Sequence, residues 1–214
     1  MMTNKILITL LSLIGLMPLQ AQNGQKLLER FTSQMQKNGC MSMHLDVTIR
    51  NMYDQVSDHQ DAEITLDGTR FHYNAADDGS VWFDGKTMWR TTMFDDEVGE
   101  VYITEPDEKE QNLFNPLKFM SSHKGFTVSG DDRSTFTLTA STPEGNVEGI
   151  QTISFSLDPS SLVPTKVRVR FADEAGGINA EITVSDYKGR LKLSDDTFRC
   201  NPSDYPEAEI IDLR

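Results

Sequence analysis

From Met41 to Arg50 the chain alternates without a break: Met41, Met43, Leu45, Val47 and Ile49 are apolar, and the residues between them are polar. Only an extended strand sets residues two apart on one side, so this segment offers one face to a core and the other to water. Turn signals then follow in series. Asp67-Gly68 separates a strand segment over 62–66 from one over 69–74, Gly85-Lys86 separates 81–84 from 87–93, and Asp78-Gly79 stands between the two pairs. Such dipeptides supply the positive-φ residues of tight hairpins, and their spacing predicts an up-and-down meander. Further strands are predicted over 100–104, 126–129, 134–141, 152–157, 166–171 and 178–185, with a late pair over 197–200 and 209–213.

Helices are few. Leu27, Leu28, Phe31 and Met35 recur at helical spacing over 25–37, with Asn23 placed as an N-cap and Gly39 as a stop. Midway through the strands, the polar stretch after Pro106 and then Asn115-Pro116, followed by Leu117, Phe119 and Met120, predict one or two short helices ending before Gly125. About eleven strands, apolar mainly on one side, predict a mainly β domain built on a single curved antiparallel sheet. Curling so wide a sheet encloses more space than side chains fill, and the helices are the available plugs. Incomplete cover leaves an apolar cavity suited to acyl chains, whereas complete cover makes the same residues ordinary core. Met41, Met43, Met88, Met93 and Met120 favour the adaptable surface, since flexible thioethers accept variable partners.

The amino terminus reads as an address. Lys5 precedes an apolar run from Ile6 to Met17 that ends at Pro18-Leu19-Gln20-Ala21, the pattern of a secretory signal peptide over 1–21 cut near Ala21. The run is shorter than the ~20 residues that span a bilayer, and no Cys near the cut can take a lipid. A single soluble domain over 22–214, exported to the periplasm and monomeric, is expected. Its two cysteines, Cys40 and Cys200, either bridge in that oxidising compartment or remain as separate thiols. A bridge would stabilise the fold by roughly 5 kcal/mol at most.

Charge and motifs narrow the function. Asp and Glu number 33 against 20 Lys and Arg, for a net charge of −13, and the basic residues are scattered, which argues against nucleic-acid and anionic-membrane partners. Acidic groups such as Asp77-Asp78, Asp95-Asp96-Glu97 and Asp131-Asp132 read as solvated turns. His44, His59, His72 and His123 lack metal-ligand spacing, and no nucleotide, zinc or nucleophile motif is present. Asp195-Asp196 reads as a turn or a helix cap. No enzyme, cofactor or metal is expected.

Three segments resemble one family, the periplasmic outer-membrane lipoprotein carriers LolA and their LolA-like relatives. Val81-Trp82-Phe83-Asp84-Gly85-Lys86-Thr87-Met88-Trp89 is similar to the family's strand-turn-strand pattern with its D-G-K-T turn. Glu100-Val101-Tyr102-Ile103, then Pro106 and Asn112 to Pro116, is similar to its strand, acidic linker and N-P helix start. Ile182 to Tyr187, Phe198 and Glu209 to Arg214 look like the closing strands of a shorter branch. The resemblance covers the mature chain in order. It implies an incomplete, half-open barrel of about eleven strands, helices covering the concave face as a lid, and a cavity for the acyl chains of lipoproteins. It also implies loading by an inner-membrane ABC transporter and unloading to an outer-membrane receptor. One departure stands out: Asp67-Gly68 occupies the place of the Arg-Pro pair that latches the archetypal lid, ahead of Phe71.

The expected acyl-chain contacts are Met41, Met43, Leu45 and Val47, Phe71 and Tyr73, Trp89 and Met93, Val101 and Ile103, and Leu117, Phe119 and Met120. The alternative is a LolA-like protein-binding or lipid-sensing module whose cavity is filled by its own side chains and whose edge strands recruit a partner.

Overall fold

A computed structural model describes residues 17–75, 77–107, 125–142, 149–173 and 177–214. The helix predicted at Asn115-Pro116 lies outside them. The elements are α1 (Met17–Asn38), β1 (Met41–Arg50), β2 (Val56–Asp67), β3 (Arg70–Ala75), β4 (Gly79–Phe83), β5 (Met88–Phe94), β6 (Glu97–Thr104), β7 (Phe126–Gly130), β8 (Thr135–Ala140), β9 (Ile150–Leu157), β10 (Pro164–Phe171), β11 (Asn179–Gly189), the 3-10 turns Asp195–Phe198 and Pro202–Asp204, and β12 (Glu209–Asp212). The strands form one 12-stranded sheet in the order β12-β6-β5-β4-β3-β2-β1-β11-β10-β9-β8-β7, an open row ending at β12 and β7. Two compact units divide the chain, one of Met1–Ser33, Arg50–Gln55 and Lys124–Glu181, the other of Gln34–Ile49, Val56–His123 and Ile182–Arg214.

In the first unit, β7, β8, β9 and β10 are antiparallel neighbours, and their register puts Phe136 opposite Phe155 and Phe155 opposite Val167 on one face. The other face carries Thr137, Ser154 and Arg168 at matching positions. α1 closes the apolar face: Phe31 lies 5.7 Å from the Phe136 ring and 6.0 Å from that of Phe155, and those two stack at 4.7 Å. Gly24 belongs to the same contact. A Cβ there would sit 2.5 Å from the Ser129 carbonyl carbon, so β7 runs too close for any side chain. That approach explains a glycine inside a helix, where it costs about 1 kcal/mol relative to Ala. The helix is described from Met17 and passes through Asn23 without being capped there, since Gln20, Ala21 and Gln22 continue it as well as any residues beyond. Its end is the expected one: Gly39, at φ 60°, donates its amide to the Gln36 carbonyl at 3.2 Å.

In the second unit, β2 to β6 form the predicted meander, and each turn is made as its residues require. Gly68, Gly79 and Gly85 all have positive φ, and between β5 and β6 so do Asp95 and Asp96. Asp84 accepts the amides of Lys86 at 3.0 Å and Thr87 at 2.9 Å, the Arg199 guanidinium reaches it at 3.1 Å, and these contacts outweigh burial to hold its carboxyl below the usual value.

Two expectations at the carboxyl end are corrected. Residues 197–200 are not a strand; Asp195–Phe198 and Pro202–Asp204 are 3-10 turns, the second capped by Asn201 accepting from the Ser203 amide, with Pro202 at its start. Asp195, Asp196 and the Asn-Pro pair favour helix initiation, and they override the β preference of Thr197 and Phe198. The sheet is also not antiparallel throughout, because β12 pairs with β6 in parallel, Ile210 opposite Val101 and Asp212 opposite Ile103.

The segment between β11 and β12 lies against the meander. Trp82, Val101 and Cys200 form a buried cluster with Trp89, Val98, Tyr205 and Ala208 around it. Arg70 fastens the segment. Its guanidinium bonds Asp195 at 2.5 Å and also Asp67, and lies 4.7 Å from the centre of the Phe198 ring. Arg70 thus acts as a clamp between β3 and this segment. Nearby His72 stacks on Trp82 at 4.9 Å, and its Nε2 is buried with no hydrogen-bond partner among the described residues.

Phe31→Ala is expected to destabilise by about 3–5 kcal/mol in chemical denaturation, the usual range for emptying a well-packed aromatic site. Arg70→Met should cost about 1–2 kcal/mol through its cation–π and ion-pair contacts, and the loss should show as faster proteolysis within 191–205. Burial lowers the His72 pKa from 6.5, with Glu63 opposing. The unfolded chain therefore binds this proton at higher pH than the folded one, so stability is whole above about pH 6.5 and is lost as pH falls through the folded value. His72→Phe should flatten the fall in melting temperature between pH 7 and 5; an unchanged slope would show that His72 does not control it.

Candidate lipid-binding site

The register of the second unit sorts the expected contacts onto two faces. Leu66, Phe71, Phe83 and Met88 lie opposite one another in turn across β2 to β5, and Ile64, Tyr73, Val81, Arg90 and Tyr102 form the next row of the same face. Phe71 and Phe83 are buried with their rings 5.6 Å apart, whereas Tyr73 is half-buried. Burial and the charge of Asp78 push the Tyr73 phenol up, so it stays protonated and donates to Gln60 at 3.4 Å.

Trp89, Val101 and Ile103 occupy the opposite face, in the rows containing Trp82 and Thr91. There Trp89 and Val101 meet the carboxyl-terminal segment described above, and Val101 and Ile103 are buried. Phe71 with Tyr73, and Trp89 with Val101 and Ile103, are therefore not brought together on one surface. Met93, half-buried, follows a register shift between Thr92 and Met93. Leu117, Phe119 and Met120 lie outside the described residues.

Along β1, burial fades in chain order. Met41 is 1% exposed and Met43 8%, and Leu45, Val47 and Ile49 are only half-buried. On the polar side of the strand the His44 ring meets Asp61 at 3.1 Å, and the His59 ring meets Asp46 at 3.3 Å. The first unit shows the same gradient across its apolar face. Phe136, Ile153 and Phe155 are buried, while Val167 and Val169 on β10, in register with Phe155 and Ile153, are half-buried, as is Phe171, which follows a register shift after Arg170. Sequence reasoning placed a strand there but left these three out of the contact set. Their alternation with Lys166, Arg168 and Arg170 is the signal that would have included them.

Cys40 and Cys200 are free thiols, the first half-buried and the second buried. Burial and the Asp204 charge push the Cys200 thiol up to about 11, leaving it a weak nucleophile at neutral pH. Among the described residues no cluster of His, Cys, Asp or Glu is arranged to hold a metal ion, and no helix is long and apolar enough to cross a membrane.

No curated protein matches this chain. A solved structure of an uncharacterised conserved protein from Thermus thermophilus is 13% identical, with a TM-score of 0.54 over 86% of this chain and 98% of that one. A LolA superfamily protein from Nitrosomonas europaea is 12% identical, with a TM-score of 0.46 over 83% and 97% of the respective chains. At 13% identity the likeness to the Thermus protein concerns the fold alone. Residues 16–173 match the family described as outer membrane lipoprotein carrier protein LolA, and this chain belongs to that family.

Proposed function

We propose that the protein is a periplasmic carrier that takes up the acyl chains of lipoproteins on its partly covered apolar surface and shuttles them from the inner to the outer membrane. The observation that carries this reading is membership of the LolA family over residues 16–173. The half-buried strips on β1 and β10 support it, since each methylene desolvated against them contributes about 0.8 kcal/mol. Summed over a chain, that holds cargo firmly enough to cross water and releasably enough to hand over. The work is binding and release, without bond-making chemistry. An inner-membrane ABC transporter as the source and an outer-membrane receptor as the acceptor complete the scheme.

Removal of residues 1–21 on export fits this role. A cut near Ala21 leaves Leu27, Leu28, Phe31 and Met35, the buried apolar residues of α1, in the mature chain.

Native mass spectrometry of the protein purified from the periplasm, with organic extraction of whatever accompanies it, tests the reading. The wild type should carry acylated peptide or lipid. Val167→Glu should lose it while keeping its circular dichroism spectrum, because the residue lies on the apolar face opposite Phe155 and is only half-buried. A wild type that is clean and also fails to take up a fluorescent fatty acid would overturn the carrier reading.

A further inference from the structure

The polar face of β9 and β10 carries an arrangement that acyl-chain binding does not use. Register places Thr152 opposite Arg170 and Ser154 opposite Arg168. With Arg50 and Asn179 these residues line a groove of about 330 Å³, whose remaining charged walls are Asp54 and Glu181. Lys166 joins from the side through its bond to Glu181 at 2.7 Å, and Arg168 bonds the other oxygen of that carboxylate at 2.6 Å. Arg50 bonds the Asp54 carbonyl at 3.1 Å and lies 3.9 Å from its carboxylate. Arg170 is exposed and makes no ion pair among the described residues. Four cations thus face two carboxylates, a local positive excess in a chain whose net charge is −13.

Guanidinium forks beside hydroxyl and amide donors suit a tetrahedral oxyanion, whose oxygens accept parallel N–H bonds. The loop that contributes Arg50 and Asp54 adds a second observation. Its tip presents Met52 at 63% and Tyr53 at 75% exposure, two large apolar side chains beside the basic groove. A cationic groove rimmed by an aromatic and a thioether matches the two layers of a bilayer surface, phosphate outside and acyl boundary beneath.

We propose that this groove docks the protein on anionic bilayers by binding the phosphate of a phospholipid headgroup, with Met52 and Tyr53 entering the interface. The overall negative charge does not forbid it. Exposed charges farther than about 8 Å from the bound phosphate are screened at physiological ionic strength, so the local excess decides the contact. The proposal stands apart from cargo binding, since it uses the opposite face of β9 and β10.

Flotation of the full chain with equimolar phosphatidylglycerol and phosphatidylcholine vesicles, against vesicles of phosphatidylcholine alone, tests it. Wild type should float with the anionic vesicles only, and less as salt rises. Arg170→Glu, and separately the pair Met52→Ser with Tyr53→Ser, should weaken binding roughly tenfold or more, whereas Lys188→Glu, the same charge change outside the groove, should not. Circular dichroism spectra like that of the wild type would show that each variant is folded. Absence of wild-type flotation, equal losses in Arg170→Glu and Lys188→Glu, or titration of the groove by glycerol phosphate in solution without any vesicle binding would each overturn the proposal.

Discussion

Strand pairing satisfies the backbone of a β-sheet but leaves two surfaces that something must cover, and the side-chain alternation decides which surface needs it. In the first unit the cover is α1, seated through Phe31 on two stacked phenylalanines and held close by the absence of a side chain at Gly24. In the second it is the segment after β11, pressed on Trp82 and Val101 and fastened by Arg70. In each unit some apolar strand residues stay half-buried, Val167 and Val169 on β10 in the first and Leu45, Val47 and Ile49 on β1 in the second, and the functional reading rests on these strips.

Much of this was legible in the alternation. All twelve described strands overlap segments that period two and the turn dipeptides mark, and where a D-G or G-K pair separates two strand-like segments the chain has few alternatives. The carboxyl end was not legible in the same way. Thr197 and Phe198 look like strand residues, and only the preceding Ser-Asp-Asp and the following Asn-Pro carry the competing turn signal. Which side of a strand faces which neighbour was harder still. Val81, Trp82 and Phe83 are apolar on both sides, so the sequence pattern could not assign Phe71 and Trp89 to opposite faces, and only the register does so.

Acidic residues outnumber basic ones, yet several of the acids have structural tasks. Asp131 accepts the amides of Arg133, Ser134 and Thr135, and Asp158 those of Ser160 and Ser161, so both carboxyls are held well below their ordinary value. These are hairpin and loop corners where a side-chain oxygen replaces a missing backbone partner. The negative charge is in part a by-product of building many tight turns. It leaves the few positions where cations gather, as on the polar side of β10, correspondingly distinct.

The parallel seat of β12 beside β6 has a temporal meaning. Asp212 meets Ile103 from roughly 110 residues downstream, a long loop to close. A chain that emerges amino terminus first completes its meander well before that strand arrives, and until then the outer edge of β6 is an unpaired ladder of amides and carbonyls. Such an edge is the kind to which other chains add. The protein thus passes through an interval, each time it is made, in which its own tail competes with strangers for the same row of hydrogen bonds.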